Sequence, residues 1–157
     1  MKQPGYASLV VATSADLAGL PERAILFLYD GVCAMCNGIV KFLLARDRED
    51  RFRFVALQSD LGRAIVSARG GDPDELSTVY VITAPGRAGE VVRVRGRAGL
   101  HAVIALGGGW KLLHAFRILP TFLLDLGYRL IARLRYRFAG RLDACPVPAP
   151  EHRHKFL

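Results

Sequence analysis

Residues 24–57, AILFLYDGVCAMCNGIVKFLLARDREDRFRFVAL, decide how this chain is read. Ala24 to Tyr29 is a short, wholly apolar run closed by Asp30-Gly31. It reads as a buried strand that ends in a turn. Val32 to Arg46 carries apolar Ile39, Val40, Phe42, Leu43 and Leu44 at helical spacing, and the charged residues 46–50 end that helix. Arg51 to Leu57 alternates and reads as a second strand. Strand, turn, helix and strand make a βαβ unit, whose two strands are expected to run parallel with a right-handed crossover.

Outward from that unit, Ser59 is placed to cap a helix over residues 60–69, and Gly70-Gly71 to stop it. Thr78 to Thr83 reads as a strand, residues 85–89 as a turn, and Glu90 to Arg95 as the returning strand of a hairpin. A helix is predicted over residues 99–106. Gly107-Gly108-Gly109 interrupts it, Trp110 to Leu119 resumes it, and Pro120 breaks it again. Thr121 to Phe138 reads as a last helix. The order is that of an α/β, thioredoxin-like domain: a βαβ-αββα core with extra C-terminal helices. The expected organisation is a lead-in over residues 1–23, the domain with its helical extension over 24–148, and a tail over 149–157.

The chain has 157 residues, 52% apolar and 23% charged, which fits one globular domain and excludes a disordered chain. Residues 1–86 carry 9 Lys+Arg against 10 Asp+Glu, a net −1, whereas residues 87–157 carry 13 against 4, a net +9. The basic half is a candidate for an anionic membrane or acidic protein partner, or else a solvated surface. It carries no nucleic-acid-binding motif, so no nucleic acid is expected as a partner. The most apolar long stretch, Leu112 to Leu134, is interrupted by Arg117, Asp125, Arg129 and Arg133. The N-terminal apolar run, Leu9 to Ala12, is too short for a secretory signal, and a cytoplasmic protein is expected.

Of the three cysteines, Cys33, Cys36 and Cys145, two form a C-x-x-C where the first helix begins. One turn of helix brings such a pair together. Cys33 falls at the first turn, where unpaired backbone N–H groups and the helix dipole favour a thiolate, the attacking species in disulfide exchange. Cys36 lies a turn further in and is better shielded. The expected roles follow: Cys33 attacks and Cys36 resolves. Asp30 stands three residues before Cys33. Its carboxylate is in range to accept the Cys36 proton or to cap the helix, and it would also disfavour a nearby thiolate by like-charge repulsion. The plain alternative is a turn aspartate before Gly31. Two rival readings of the pair are a zinc site completed by Cys145, His152 or His154, and two inert buried thiols. Zinc would need two more ligands, and there is no second C-x-x-C. No metal or cofactor is expected.

Asp30-Gly-Val-Cys33-Ala-Met-Cys36-Asn37 resembles the signature of the DCC family of predicted thiol-disulfide oxidoreductases, named for Asp-x-x-Cys-x-x-Cys. Residues 42–47 are similar to that family's first helix end. Phe54-Val-Ala-Leu-Gln-Ser59 is similar to its second strand and Leu-Gln-Ser turn. Gly108-Gly-Trp110, Leu119-Pro120, Asp125, Tyr128, Ala132 and residues 135–140 resemble its C-terminal region, and Cys145-Pro146 a late cysteine of many members. The resemblance, over residues 24–148, implies a thioredoxin-like fold with a redox pair at Cys33 and Cys36, but no well-defined substrate; the expected partner of such a pair is a thiol or disulfide, of a protein. Two departures stand out. Thioredoxins place a cis-proline before the third strand, where this chain has Leu76-Ser77-Thr78. Residues 97–99, Arg-Ala-Gly, lack a serine that the family often shows.

In the last helix, Leu119, Leu123, Leu126, Leu130 and Leu134 recur at threes and fours, and Arg129, Arg133, Arg137 and Arg141 at fours, about 60° away. Packed on the domain, the leucines would be buried with the arginines snorkelling at the edge. Left open, they would make a surface for an anionic membrane or protein, and the chain would then be a non-catalytic thioredoxin-like interaction module, the alternative to the oxidoreductase. Trp110 and Tyr128 read as core residues. His101 and His114 read as surface or satisfied core residues, and Cys145 as a relay thiol, a partner for Cys33, or inert.

Overall fold

The fold was analysed in a computed structural model that describes Leu17, residues 19–138, Gly140, residues 142–144 and residues 146–157. Four strands, β1 (Ile25–Tyr29), β2 (Phe52–Ala56), β3 (Tyr80–Thr83) and β4 (Val91–Val94), form one sheet in the order β2-β1-β3-β4. β1 and β2 run parallel, while β3 is antiparallel to both β1 and β4. The helices are α1 (Ala34–Leu44), α2 (Asp60–Ala68), α3 (Arg95–Ala105) and α4 (Thr121–Phe138), with 3-10 segments at Gly108–Ile118 and Pro150–Lys155. This is the expected βαβ unit followed by a hairpin and helix, with helices added at the C-terminal end.

Strand alternation builds two cores. Ile25, Phe27 and Tyr29 point to one face of the sheet and pack with Val40 and Leu43 of α1, Ala98 and Ala102 of α3, and both cysteines. Leu26 and Leu28 point to the other face, against Ile65 and Val66 of α2 and against Leu17 and Leu20 from the end of the lead-in. Ser59 caps α2 as predicted, its hydroxyl accepting from the Gly62 N–H at 3.0 Å.

Two elements and one side chain differ from the sequence reading. α3 begins at Arg95, directly after β4, because Arg95 takes a positive φ of 55° and turns the chain at once. Gly96 then lies under α4, where a Cβ would meet the Leu124 carbonyl oxygen at 2.7 Å. The stretch after Gly107 does not resume an α-helix. Gly107 and Gly108 hold φ values of 74° and 58°, and a tighter 3-10 segment follows on the surface. Trp110 is therefore not a core residue; it is exposed, with its ring edge-on to Phe42 at 5.5 Å.

The last residues dock on the open edge of β2. The Leu157 N–H donates to the Phe54 carbonyl at 3.0 Å, Phe156 bridges to Phe54 in parallel, and their rings lie 5.3 Å apart. No helix among the described residues is long and apolar enough to cross a membrane.

Candidate functional site

The site sits at the end of the sheet where β1 stops. Cys33 is the N-cap of α1, and its sulfur accepts the Cys36 N–H at 3.4 Å. Sulfur is a weak acceptor beside the oxygens that usually cap helices, so the position gives up some helix stability. In return, the backbone N–H and the positive end of the helix dipole are aimed at the sulfur. Both cysteines stand as thiols; Cys33 is fully buried and Cys36 nearly so. Asn37, one residue on, ties the turn together: its side-chain amide donates to the Gly31 carbonyl at 2.7 Å and to the Cys33 carbonyl at 3.0 Å.

Asp30 is fully buried at the end of β1. Its carboxylate accepts the Val32 N–H at 3.1 Å and the Gln58 side-chain amide at 2.6 Å. The Gln58 oxygen in turn accepts the Gly31 N–H at 3.0 Å. Asp30 is thus a structured turn aspartate, and its backbone carbonyl accepts the Cys33 N–H at 3.2 Å. Gln58 was not singled out from the sequence as a site residue. The signal for it was the Leu57-Gln58-Ser59 turn at the end of the parallel neighbour strand, which topology places beside the turn after β1.

Two further contacts come from the C-terminal region. On either side of Cys33, the Leu142 N–H donates to the Val32 carbonyl at 2.8 Å and the Ala34 N–H to the Gly140 carbonyl at 3.5 Å. Beyond these, the Tyr128 hydroxyl of α4 donates to the Ser77 carbonyl at 2.7 Å and accepts the Val79 N–H at 3.0 Å. Ser77-Thr78 is the stretch where a cis-proline was missed, and no described peptide bond is cis. The exposed backbone polar groups there are satisfied by a tyrosine from the added helix. Tyr128 is accordingly a clamp on the loop rather than a packed core ring. Glu75 also accepts from the Ser77 and Thr78 hydroxyls, which holds its carboxyl below the ordinary range against the opposing effect of burial. An open groove of about 370 Å³ adjoins this loop, walled by Glu75, Arg95, Tyr128 and Arg129. Ala98, in the stretch 97–99 that lacks a serine, is buried in the same core as the cysteines and offers no hydroxyl.

The zinc reading finds little support in the placement of the histidines. His154 stands 3.6 Å from Asp50, before β2 begins, at the opposite end of the sheet from Cys33. Among the described residues, no three His, Cys, Asp or Glu side chains gather as a metal set. Cys145 lies outside the described residues. At that far end Lys155 is buried between Asp47 at 2.7 Å and Asp50 at 2.9 Å, and Arg53 reaches Asp50 at 3.2 Å. The Lys155 hydrogen bond, with help from Arg53 and against burial, holds the Asp50 carboxyl down to about 2. Burial opposes the charge on Lys155, yet its two carboxylate partners raise its ammonium above the ordinary value.

A four-stranded sheet of this order, with a C-x-x-C at the N-terminus of its first helix, defines a thioredoxin-like dithiol protein. The sequence pattern of the DCC1-like thiol-disulfide oxidoreductases matches residues 27–141, and the chain belongs to that family. It is similar to the uncharacterized protein YuxK of Bacillus subtilis strain 168, with 32% identity over 138 residues, 88% of this chain and 96% of that protein. It is also similar to a chloroplastic DCC family protein of Arabidopsis thaliana, with 33% identity over 127 residues, 80% of this chain and 71% of that one. No solved structure matches the chain.

Proposed function

We propose that this protein is a thiol-disulfide oxidoreductase in which Cys33 attacks, Cys36 resolves and Asp30 carries the proton. The observation that carries the reading is the capping of α1 by the Cys33 sulfur, with the Cys36 N–H aimed at it. In the reducing direction, the Cys33 thiolate attacks one sulfur of a substrate disulfide. A Cys33–substrate bond forms, and the other substrate sulfur leaves as a thiolate. Cys36 then loses its proton to Asp30 and attacks the Cys33 sulfur. This releases the second substrate thiol and leaves a Cys33–Cys36 disulfide. Two electrons and the Cys36 proton pass to the substrate, the first substrate thiolate takes its proton from solvent, and an external thiol reductant restores the dithiol. The oxidising direction is the reverse.

Because Cys33 is fully buried, the pairing of Gly140 and Leu142 with Ala34 and Val32 opens before a protein disulfide can reach it. The test is a trapping experiment. Cys33→Ser abolishes exchange, whereas Cys36→Ser accumulates mixed disulfides visible by intact mass. Equal loss in both variants with no mixed disulfide would reject the assignment.

A further inference from the structure

Helical periodicity shows that α4 has an apolar stripe, and the structure shows where the stripe points. Leu124, Tyr128 and Ala132 are the more sheltered residues, and Leu124 packs over Gly96 of α3. Phe122, Leu126 and Leu130, one turn apart, face outward at 71%, 61% and 59% exposure. In the preceding 3-10 segment, Leu112 and Ile118 are 82% and 85% exposed. The helix rests on the domain, and of its leucine stripe Leu119 and Leu134 are half-buried, whereas Leu123, Leu126 and Leu130 stay exposed. A row of exposed large apolar side chains on one helix face of a globular chain marks an interaction surface.

We propose that this surface docks on an anionic membrane, with α4 lying in the plane of the interface. Charge on the same face selects the occupant. Arg129, Arg133 and Arg137 continue the outward row of Phe122, Leu126 and Leu130 within about 20° by helix geometry, and all three are exposed. The face therefore turns from apolar to cationic along its length. Seated on a bilayer, the N-terminal half enters the acyl boundary, and the arginines of the C-terminal half lie among the headgroups. The net +9 of residues 87–157 adds attraction to an anionic surface. A helix of 18 residues, about 27 Å long, lies on a bilayer when it is too charged to cross one.

A second copy of this chain fits less well. A two-fold contact through this face would set the arginines either against each other or against the partner's apolar half, in both cases covering them with no opposite charge. An acidic protein would satisfy the arginines but would need its own groove for the protruding apolar row. The proposal is independent of the redox reading, since it involves neither cysteine.

The test is co-sedimentation of the full chain with vesicles of phosphatidylcholine, with and without phosphatidylglycerol, at low and high salt. Binding is expected only with phosphatidylglycerol and falls as salt rises. Leu126→Gln with Leu130→Gln weakens it by about a hundredfold. Arg133→Gln with Arg137→Gln weakens it by about thirtyfold. Cys33→Ser binds as the parent chain does. All four exchanged side chains of α4 are exposed or half-exposed, and circular dichroism checks that the fold persists. Three results would overturn the proposal: no partitioning to either vesicle, unchanged binding by the double leucine variant, or a solution dimer that the leucine variant dissociates.

Discussion

The two ends of the sheet hold buried carboxylates in opposite ways. Before β2, Asp47 accepts the Arg51 and Phe52 N–H groups and pairs with the buried Lys155 ammonium. After β1, Asp30 receives neutral donors, the Val32 N–H and the Gln58 amide. A carboxylate paired with a buried ammonium and two backbone N–H groups serves the fold. Asp30, whose carbonyl accepts the Cys33 N–H at 3.2 Å, is the proton carrier of the proposed exchange. The comparison sets a structural aspartate at one end against the aspartate of the proposed chemistry at the other, although both are well hydrogen-bonded.

The sharpest way to break that comparison is to make the same substitution at both ends. Asp30→Asn should slow resolution of the mixed disulfide by about a hundredfold and leave stability little changed. Asp47→Asn should leave exchange unchanged while costing about 2 kcal/mol, because Lys155 keeps only Asp50. Stopped-flow exchange and urea unfolding read the two effects separately. If both variants lost stability alone, the ends would be equivalent and Asp30 would be structural.

Gln58→Leu should slow exchange by about tenfold through loss of Asp30 positioning, and it should shift the pH profile of the rate. A stability loss with an unmoved pH profile would make Gln58 part of the fold only. Acid acts on the other end. Asp50 is held at about 2 against an ordinary 3.8, so its contribution is complete above about 4 and is lost as pH falls through about 2. Protection of the Leu157 amide against hydrogen exchange should decline over that window. Lys155 has the opposite sign: its raised ammonium adds stability at neutral pH that is lost only as pH rises past its folded value. The smallest effect is expected from Tyr128→Phe, about 1 kcal/mol, with the Val79 N–H and Ser77 carbonyl left without the hydroxyl.

What the sequence discloses here is local. Apolar runs, a capping serine and a C-x-x-C after Asp30-Gly31 identify the βαβ unit and put Cys33 at a helix start. The span Thr121–Phe138 was legible to the residue. What escaped was contact between distant stretches. Gln58 meets Asp30 across 28 residues, and Tyr128 meets Ser77 across 51. The periodicity of α4 marks an apolar stripe, but no pattern within one helix says whether the sheet or something outside covers it. The docking of Lys155 needed the carboxylates of residues 47 and 50, which read from sequence only as a charged helix end.

The central claim is that Cys33 and Cys36 form a working redox pair, and a glutathione redox titration tests it most directly. Thiols are alkylated at each potential and counted by intact mass. The account predicts one reversible two-electron step confined to Cys33 and Cys36 and absent in Cys33→Ser. Two thiols that stay reduced at every potential, in a chain that is folded throughout, would contradict it.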